Sequence, residues 1–192
     1  RLSYMRILPG HVASAVRYGI IGLSTKADKR ESGEVKRMPQ LEKGGKFIFG
    51  KSLIREGFLI RLPPQAVEEY DISSEGSVYL FTGSKSTGGF CVTRRGLLYP
   101  SKIGNILKDT PALLHYELPE GEWIPYKGRR YCWARISPDG EIRLPEQTAA
   151  VLQVEQGMEL LSIRSSNIAF TMGAKGPLIE KANRYDGVIE LF

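Results

Sequence analysis

A stretch in the second half of the chain combines cations with aromatic rings. Residues 126–135 read YKGRRYCWAR, and their basic side chains are Lys127, Arg129, Arg130 and Arg135. Lysine and arginine bind phosphate oxygens, and arginine also reads the edge of guanine with paired hydrogen bonds. The aromatic rings between them could stack on unpaired bases. This composition predicts a nucleic-acid contact, with the alternative that Tyr131 and Trp133 alternate into a core while Arg130 and Arg135 face solvent.

Further cations could extend that contact. Arg61 and Arg143 occupy equivalent positions in two occurrences of the tetrapeptide IRLP, each with apolar neighbours. Because side chains alternate along a strand, both arginines are expected to point outward, toward a ligand or toward solvent. Near the N-terminus, the residues that could follow a phosphate backbone are Lys26, Lys29, Arg30, Lys36 and Arg37.

The excess positive charge is confined to one end of the sequence. The 192 residues include 27 Lys and Arg against 21 Asp and Glu, a net charge of +6. Residues 1–46 hold 10 of the basic and 4 of the acidic residues, whereas residues 47–192 balance at 17 and 17. A basic arm beside a neutral body is common in proteins that contact phosphate backbones. A solvated tail is the alternative interpretation.

Two short segments could bind anions in another way. Residues 45–52 read GKFIFGKS and match the phosphate-loop pattern G-x-x-x-x-G-K-[ST]. That chemistry requires a preceding strand and a helix beginning at Lys51, but Pro39 interrupts the upstream segment and Gly57 the downstream one. We therefore interpret Phe47–Phe49 as a strand and expect no nucleotide hydrolysis.

The loop TGSKSTGG at residues 82–89 could cradle an anion or be a flexible hairpin tip.

Other kinds of chemistry find little support in the sequence. The two histidines and two cysteines are not at metal-ligand spacing, so no metal, cofactor or catalytic residue is expected. Apolar runs fall far short of the roughly 20 residues that span a bilayer, so no membrane association is expected. No signal segment is recognisable, and two widely spaced cysteines are typical of reduced thiols. The prediction is a cytoplasmic protein.

An internal repeat organises most of the chain. The tetrapeptide IRLP occurs at residues 60–63, where PQAVEEYDI follows it, and again at residues 142–145, where EQTAAVLQV follows it. Each copy then continues with a glycine, an apolar strand, a polar turn and a second strand. Proline ends the strand because it lacks an N–H, and Pro64 suits the first turn of a helix. Each copy is therefore a strand, a short helix and a hairpin. A unit this small must pair with another copy, in this chain or in a second one.

Two stretches of the second copy carry a resemblance to a known family. Residues 139–147, DGEIRLPEQ, and residues 154–160, VEQGMEL, resemble the AbrB/SpoVT/MazE-like proteins. The resemblance covers about residues 47–98 and 131–182, the first copy being more diverged. It implies a β-barrel in which the strand–helix–hairpin of one copy interlocks with that of another, and most such proteins bind DNA as regulators or antitoxins.

The chain departs from that family at several DNA-contacting positions. An arginine usual after the glycine is replaced by Glu141, and the paired arginines of the second helix by Ala149 and Ala150. The corresponding residues of the first copy are Val67 and Glu68. Arg135 matches the basic residue that precedes the turn. DNA binding would therefore depend largely on other cations.

These observations predict a mainly β protein with short helices. The expected segments are a basic N-terminal extension (1–46), a first swapped-hairpin copy (47–98), a connector (99–127) and a second copy with a C-terminal helix (128–192). The leading hypothesis is a transcriptional regulator that binds double-stranded DNA, as a homodimer or as a pseudo-dimer within one chain. The alternative is a barrel of the same type that binds a partner protein or a small effector without binding DNA.

Overall fold

A computed structural model describes residues 45–192, which form nine strands and several short helices. The strands are β1 (Ile48–Leu53), β2 (Leu59–Arg61), β3 (Ser77–Thr82), β4 (Phe90–Thr93), β5 (Ile124–Tyr126), β6 (Arg129–Arg135), β7 (Glu141–Arg143), β8 (Glu159–Arg164) and β9 (Phe170–Gly173). The α-helices are α1 (Pro64–Glu69), α2 (Arg95–Leu98), α3 (Asn105–Asp109), α4 (Pro111–Leu114), α5 (Glu146–Leu152) and α6 (Pro177–Asn183). A single 3-10 turn covers Glu56–Phe58. The expectation of a mainly β protein with short helices is confirmed.

Seven strands form one antiparallel sheet in the order β1-β8-β9-β4-β3-β6-β5, and β2 pairs with β7 in a separate two-stranded ribbon. Strands β1 and β5 are the edges of the large sheet, and no pairing among the described strands closes it into a barrel. The free edge of β1 is covered by the last residues of the chain. Lys51 N donates to Glu190 O at 2.8 Å, and Phe192 N donates to Lys51 O at 2.9 Å.

The elements of the sequence repeat occur twice in the same order. Each copy consists of a strand, a short strand, a helix and a hairpin. In the first copy these elements are β1, β2, α1 and β3–β4, and in the second copy they are β6, β7, α5 and β8–β9. The first strand of each copy pairs with the hairpin of the other: β1 with β8, and β6 with β3. Strands β4 and β9 pair with each other between them. The two copies therefore exchange strands within this one chain.

Local sequence explains where the short helices begin. Pro64 is the first residue of α1, and Pro145 directly precedes α5 with a φ of −56°. A proline at these positions has the backbone angle of a helix start and no N–H left to satisfy. Helix α1 buries Ala66, and α5 buries Ala149 and Leu152, in the largest cluster of buried apolar side chains. Thr148 of α5 is also buried, and its hydroxyl donates to Gly121 O at 2.9 Å.

The segment between the two copies covers one face of the sheet. Helices α2, α3 and α4 bring Leu98, Leu107 and Leu113 against Tyr79 and Trp133, in a second core of buried side chains. Strand β5 adds to the sheet edge beside β6. The hydroxyl of Tyr79 donates to Leu113 O at 3.2 Å, which holds α4 on the sheet. Residues 95–126 therefore form a packed layer on the sheet, and β5 at the end of this layer pairs with the start of β6.

Candidate nucleic-acid interface

Six exposed cations surround the end of β3 near Thr82. They line three depressions that share Thr82, Ser84 or Arg129 and so adjoin one another. No aspartate or glutamate lines any of the three. We name this surface the cationic face; its cations are Lys46, Lys85, Lys127, Arg129, Arg130 and Lys175.

A tight hairpin presents half of these cations. Lys127 and Gly128 form a two-residue turn between β5 and β6, with φ of 45° and 79°, and Tyr126 pairs directly with Arg129. Positive φ at both turn residues matches the twist of the flanking strands, and glycine adopts it without strain. The turn therefore projects Lys127 beyond the sheet edge and starts β6 with two adjacent arginines.

The first two arginines of β6, Arg129 and Arg130, are held by β3. Arg130 N donates to the Thr82 hydroxyl at 3.2 Å. The guanidinium of Arg129 lies 5.3 Å from the centre of the Phe81 ring, a distance suited to a cation–π contact. Both arginines line the depression that contains Lys127, and Arg129 also lines the neighbouring depression that contains Lys46.

The glycine-rich loop supplies the remaining side of the surface. Gly83 N donates to Gly89 O at 3.0 Å and closes the β3–β4 hairpin, while Ala174 N and Lys175 N both donate to Thr87 O at 3.0 Å. These bonds fix the loop to the segment after β9. Lys85 and Lys175 line the same depression as a result.

The cations of this face are not neutralised by carboxylates of the described residues. Within residues 45–192, none of the six forms a salt bridge. Arg94, by contrast, lies 2.9 Å from Glu75 and 3.4 Å from Asp71, and Arg164 is paired with Glu69. Like charges gathered without compensating carboxylates attract polyanions.

Arg135 lies far from the cations that neighbour it in sequence. It is at the opposite end of β6, roughly 20 Å from Arg129 at about 3.3 Å per residue. Its backbone N donates to Glu120 Oε1 at 2.7 Å, and its Nε is 3.8 Å from Glu120 Oε2. The cluster predicted over 127–135 is therefore divided, because an extended strand separates its ends.

Arg61 and Arg143 lie on the β2–β7 ribbon and are exposed, as the alternation of side chains predicts. Arg61 faces Glu141 across the ribbon, and Arg143 Nη1 donates to Gly57 O at 3.0 Å. Neither lines the cationic face. The remaining predicted contacts, Lys26, Lys29, Arg30, Lys36 and Arg37, lie outside the described residues.

The aromatic residues of β6 belong to the core. Tyr131 is 3% exposed and Trp133 is 7% exposed. The indole N–H of Trp133 donates to Leu118 O at 2.8 Å, so its polar group is also satisfied inside the protein. The prediction that these two rings stack on unpaired bases is therefore wrong. The alternative interpretation, that both rings lie in the core, is correct. Strand alternation places both rings under α3 and α4.

The phosphate-loop pattern is a strand, as expected from its apolar interior. Residues 48–53 form β1, and Lys51 Nζ is bound to Glu159 Oε2 at 2.8 Å and Asn183 Oδ1 at 3.0 Å. The hydroxyl of Ser52 is buried and donates to Arg61 O at 2.6 Å. These two side chains therefore have structural roles.

Three cations of the face were missed by the sequence analysis: Lys46, Lys85 and Lys175. Lys46 and Lys175 lie in segments that were not predicted to bind anions, whereas Lys85 lies in the TGSKSTGG loop, for which anion binding was one of two interpretations. The two loops that meet at Thr87 bring Lys85 and Lys175 together. Each repeat copy ends with a basic residue followed by glycine, Arg95-Gly96 in the first and Lys175-Gly176 in the second, and this pattern was the available signal for Lys175. The helix positions that carry arginines in the resembled family hold a buried Ala149 and an exposed Ala150 here.

No family model matches the chain, and no curated protein matches its sequence. Within residues 45–192, no group of three or more His, Cys, Asp or Glu side chains is placed to hold a metal ion. In the same range, no helix has the length and apolar character needed to cross a membrane.

Proposed function

We propose that the protein is a DNA-binding regulator that contacts the phosphates of double-stranded DNA through the cationic face. The observation that carries this proposal is the convergence of six cations with no carboxylate among the lining residues. Such a surface binds polyanions with the release of counterions, and its affinity falls with salt. Lysines and arginines at hairpin ends reach phosphates without entering a groove.

The strand exchange between the copies supports an AbrB-like interpretation of the fold. In that interpretation, each copy is one swapped-hairpin unit, and the chain is a pseudo-dimer that contains both. The pairing of β1 with β8 and of β6 with β3 is what mutual exchange of two such units requires. The two-stranded ribbon then lies on the local two-fold axis.

The basic N-terminal extension would add affinity to this surface. The residues proposed for phosphate anchoring there are Lys29, Arg30, Lys36 and Arg37. Because residues 47–192 carry no net charge, an arm of this kind supplies long-range attraction that the body lacks. The cationic face then provides the short-range contacts.

A second candidate function is binding of a partner protein or a small effector without DNA. Ala149 favours this candidate, because it is buried at a position where the resembled DNA-binding proteins carry an arginine. A partner interface of apolar character would be insensitive to salt, unlike phosphate binding.

Titration against random-sequence duplex DNA at several salt concentrations tests the DNA proposal. The double variant Lys127→Gln/Arg130→Gln should bind more weakly, and its salt slope should fall by about 0.9 for each phosphate that it no longer neutralises. The matched control is Arg61→Gln/Arg143→Gln, which removes the same charge from the ribbon. A fourfold replacement of Lys29, Arg30, Lys36 and Arg37 by glutamine tests the arm separately.

The outcomes distinguish the candidates. Absence of binding at low salt would overturn the DNA proposal and favour the second candidate. An equal weakening in the two double variants would show that net charge, rather than the cationic face, determines binding. A weakening confined to the ribbon variant would move the DNA-binding surface to Arg61 and Arg143.

A further inference from the structure

One of the depressions of the cationic face has hydrogen-bonding side chains at its base, beneath two of the cations. It encloses about 310 Å³ and lies over the cross-strand pair of Cys91 and Thr171. This volume is at the lower end of the range for small-molecule sites. We name it the central pocket.

The floor of the central pocket is a chain of hydrogen-bonding side chains. Cys91 Sγ and Thr171 Oγ1 are 3.3 Å apart, and the Ser165 hydroxyl is hydrogen-bonded to Thr171 Oγ1. Cys91 is 7% and Thr171 is 8% exposed, and the two residues pair across the neighbouring strands β4 and β9. The thiol and the hydroxyl are therefore held in place by the sheet. A hydroxyl can rotate its hydrogen toward an incoming acceptor.

Two cations and two more hydroxyls form the rim. Lys46 and Arg129 line the pocket and have no salt-bridge partner among the described residues. Ser84 and Thr87 of the glycine-rich loop also line it, with their oxygens 2.9 Å apart. No carboxylate lines the pocket. Cations with several hydroxyl donors are the usual partners of a phosphate.

The electrostatic environment of the floor agrees with this arrangement. Burial raises the pKa of the Cys91 thiol, while the Thr171 hydroxyl and then the Arg129 and Lys46 cations act in the opposite direction. Both cations therefore exert a positive potential at the base of the pocket. The remaining wall is apolar and includes Phe81, Ile103 and Ile168.

We propose that the central pocket binds a small organic phosphate monoester. Its phosphate lies between Lys46, Arg129 and the hydroxyls of Ser165 and Thr171, and its organic part lies against Ile103 and Ile168. This inference goes beyond the proposed DNA contact and does not depend on it. The pocket shares only Arg129 with the depression that contains Lys127 and Arg130.

Isothermal titration calorimetry of the full chain without DNA tests the proposal. The probes are inorganic phosphate, glycerol phosphate and adenosine monophosphate. At least one organic phosphate is expected to bind with a dissociation constant of about 1 mM or tighter, and more tightly than inorganic phosphate. Thr171→Val and Lys46→Gln should each weaken that binding about fivefold or more.

Conservative variants separate the site from a general charge effect. Thr171→Ser keeps the hydroxyl and should retain binding, while Lys85→Gln removes a cation from a neighbouring depression and should leave binding unchanged. Arg130→Gln should weaken duplex DNA binding and not phosphate binding, so the two proposals fail independently. No saturable heat with any probe at millimolar concentration would overturn the proposal. So would binding of inorganic phosphate alone, or equal affinity of Thr171→Val and the unaltered chain.

Discussion

Ile60 lies directly opposite Ile142 in the β2–β7 ribbon, and neither side chain has any exposed surface. The two residues occupy the same position in the two copies of IRLP. A residue that pairs with its own equivalent in the other copy lies on a local two-fold axis. Cys91 and Thr171 are also equivalent positions of the two copies, and they pair with each other in the large sheet. The repeat is therefore a symmetry of strand pairing as well as of sequence.

Shortening either isoleucine should destabilise the whole described unit. Ile60→Ala or Ile142→Ala is expected to lower the free energy of unfolding by about 2–5 kcal/mol, because each leaves a cavity in a closed core. Urea unfolding followed by circular dichroism measures the change. Arg61→Ala, one residue away and exposed, should change the same quantity by no more than about 0.5 kcal/mol. Equal effects of the buried and exposed substitutions would contradict the assignment of the core.

The C-terminal segment should protect the edge of β1. Phe192→Pro removes the N–H that donates to Lys51 O and the ring that lies against Gly50. An exposed strand edge pairs with other chains, so this variant should be less stable by about 1–3 kcal/mol and should associate as its concentration rises. Analytical ultracentrifugation over a concentration series measures the association.

Leu191→Ser is the matched control for that segment, because its side chain is 49% exposed and its backbone is unchanged. It should behave as the unaltered chain does. Association of the Leu191→Ser variant to the same degree would show that the apolar side chain, not the backbone pairing, protects the edge.

Alkaline pH should unfold the protein through its buried tyrosines. Burial raises the pKa of Tyr70 from 10.0 to about 12, with the neighbouring Glu69 adding to the rise and Arg164 opposing it. The folded state therefore keeps a proton that the unfolded state loses, so this contribution to stability is complete below pH 10 and is lost as the pH rises toward 12. Tyrosinate absorbance and urea midpoints recorded across that range measure the effect.

Tyr70→Phe isolates the contribution of this hydroxyl, which donates to Ser166 O at 2.6 Å. The variant should lose about 1 kcal/mol below pH 10 and should show a shallower decline above it. An unchanged decline would assign the alkaline transition to other tyrosines, of which Tyr79 also has a pKa raised chiefly by burial.

The turn at Gly128 should control the presentation of the β6 arginines. Its φ of 79° is readily adopted by glycine and tolerated by asparagine, and a β-branched residue there is strained. Gly128→Val is expected to destabilise the protein by about 1–2 kcal/mol and to weaken duplex DNA binding, while Gly128→Asn should preserve both. DNA titration and urea unfolding of the two variants give the comparison. Loss of DNA binding in Gly128→Asn would separate the binding defect from backbone strain.

Local patterns were sufficient to predict the elements of each copy. Proline after IRL ended a strand and began a helix in both copies, because proline lacks an N–H and has a fixed φ. The alternation of side chains correctly placed Arg61 and Arg143 outside, and it offered the correct alternative for Tyr131 and Trp133. These properties depend only on residues that are close together in the sequence, so they can be predicted without the tertiary structure.

The sequence by itself therefore predicted the repeat, its strands and short helices, and the outward orientation of Arg61 and Arg143. Only the tertiary structure decided that the copies exchange strands within one chain, that the described strands do not close into a barrel, and that Arg135 is separated from Arg129. It also gathered Lys46, Lys85 and Lys175 beside the β5–β6 turn. The physical reason is that register and loop contacts join residues far apart in sequence, and their free energies depend on the whole packed sheet.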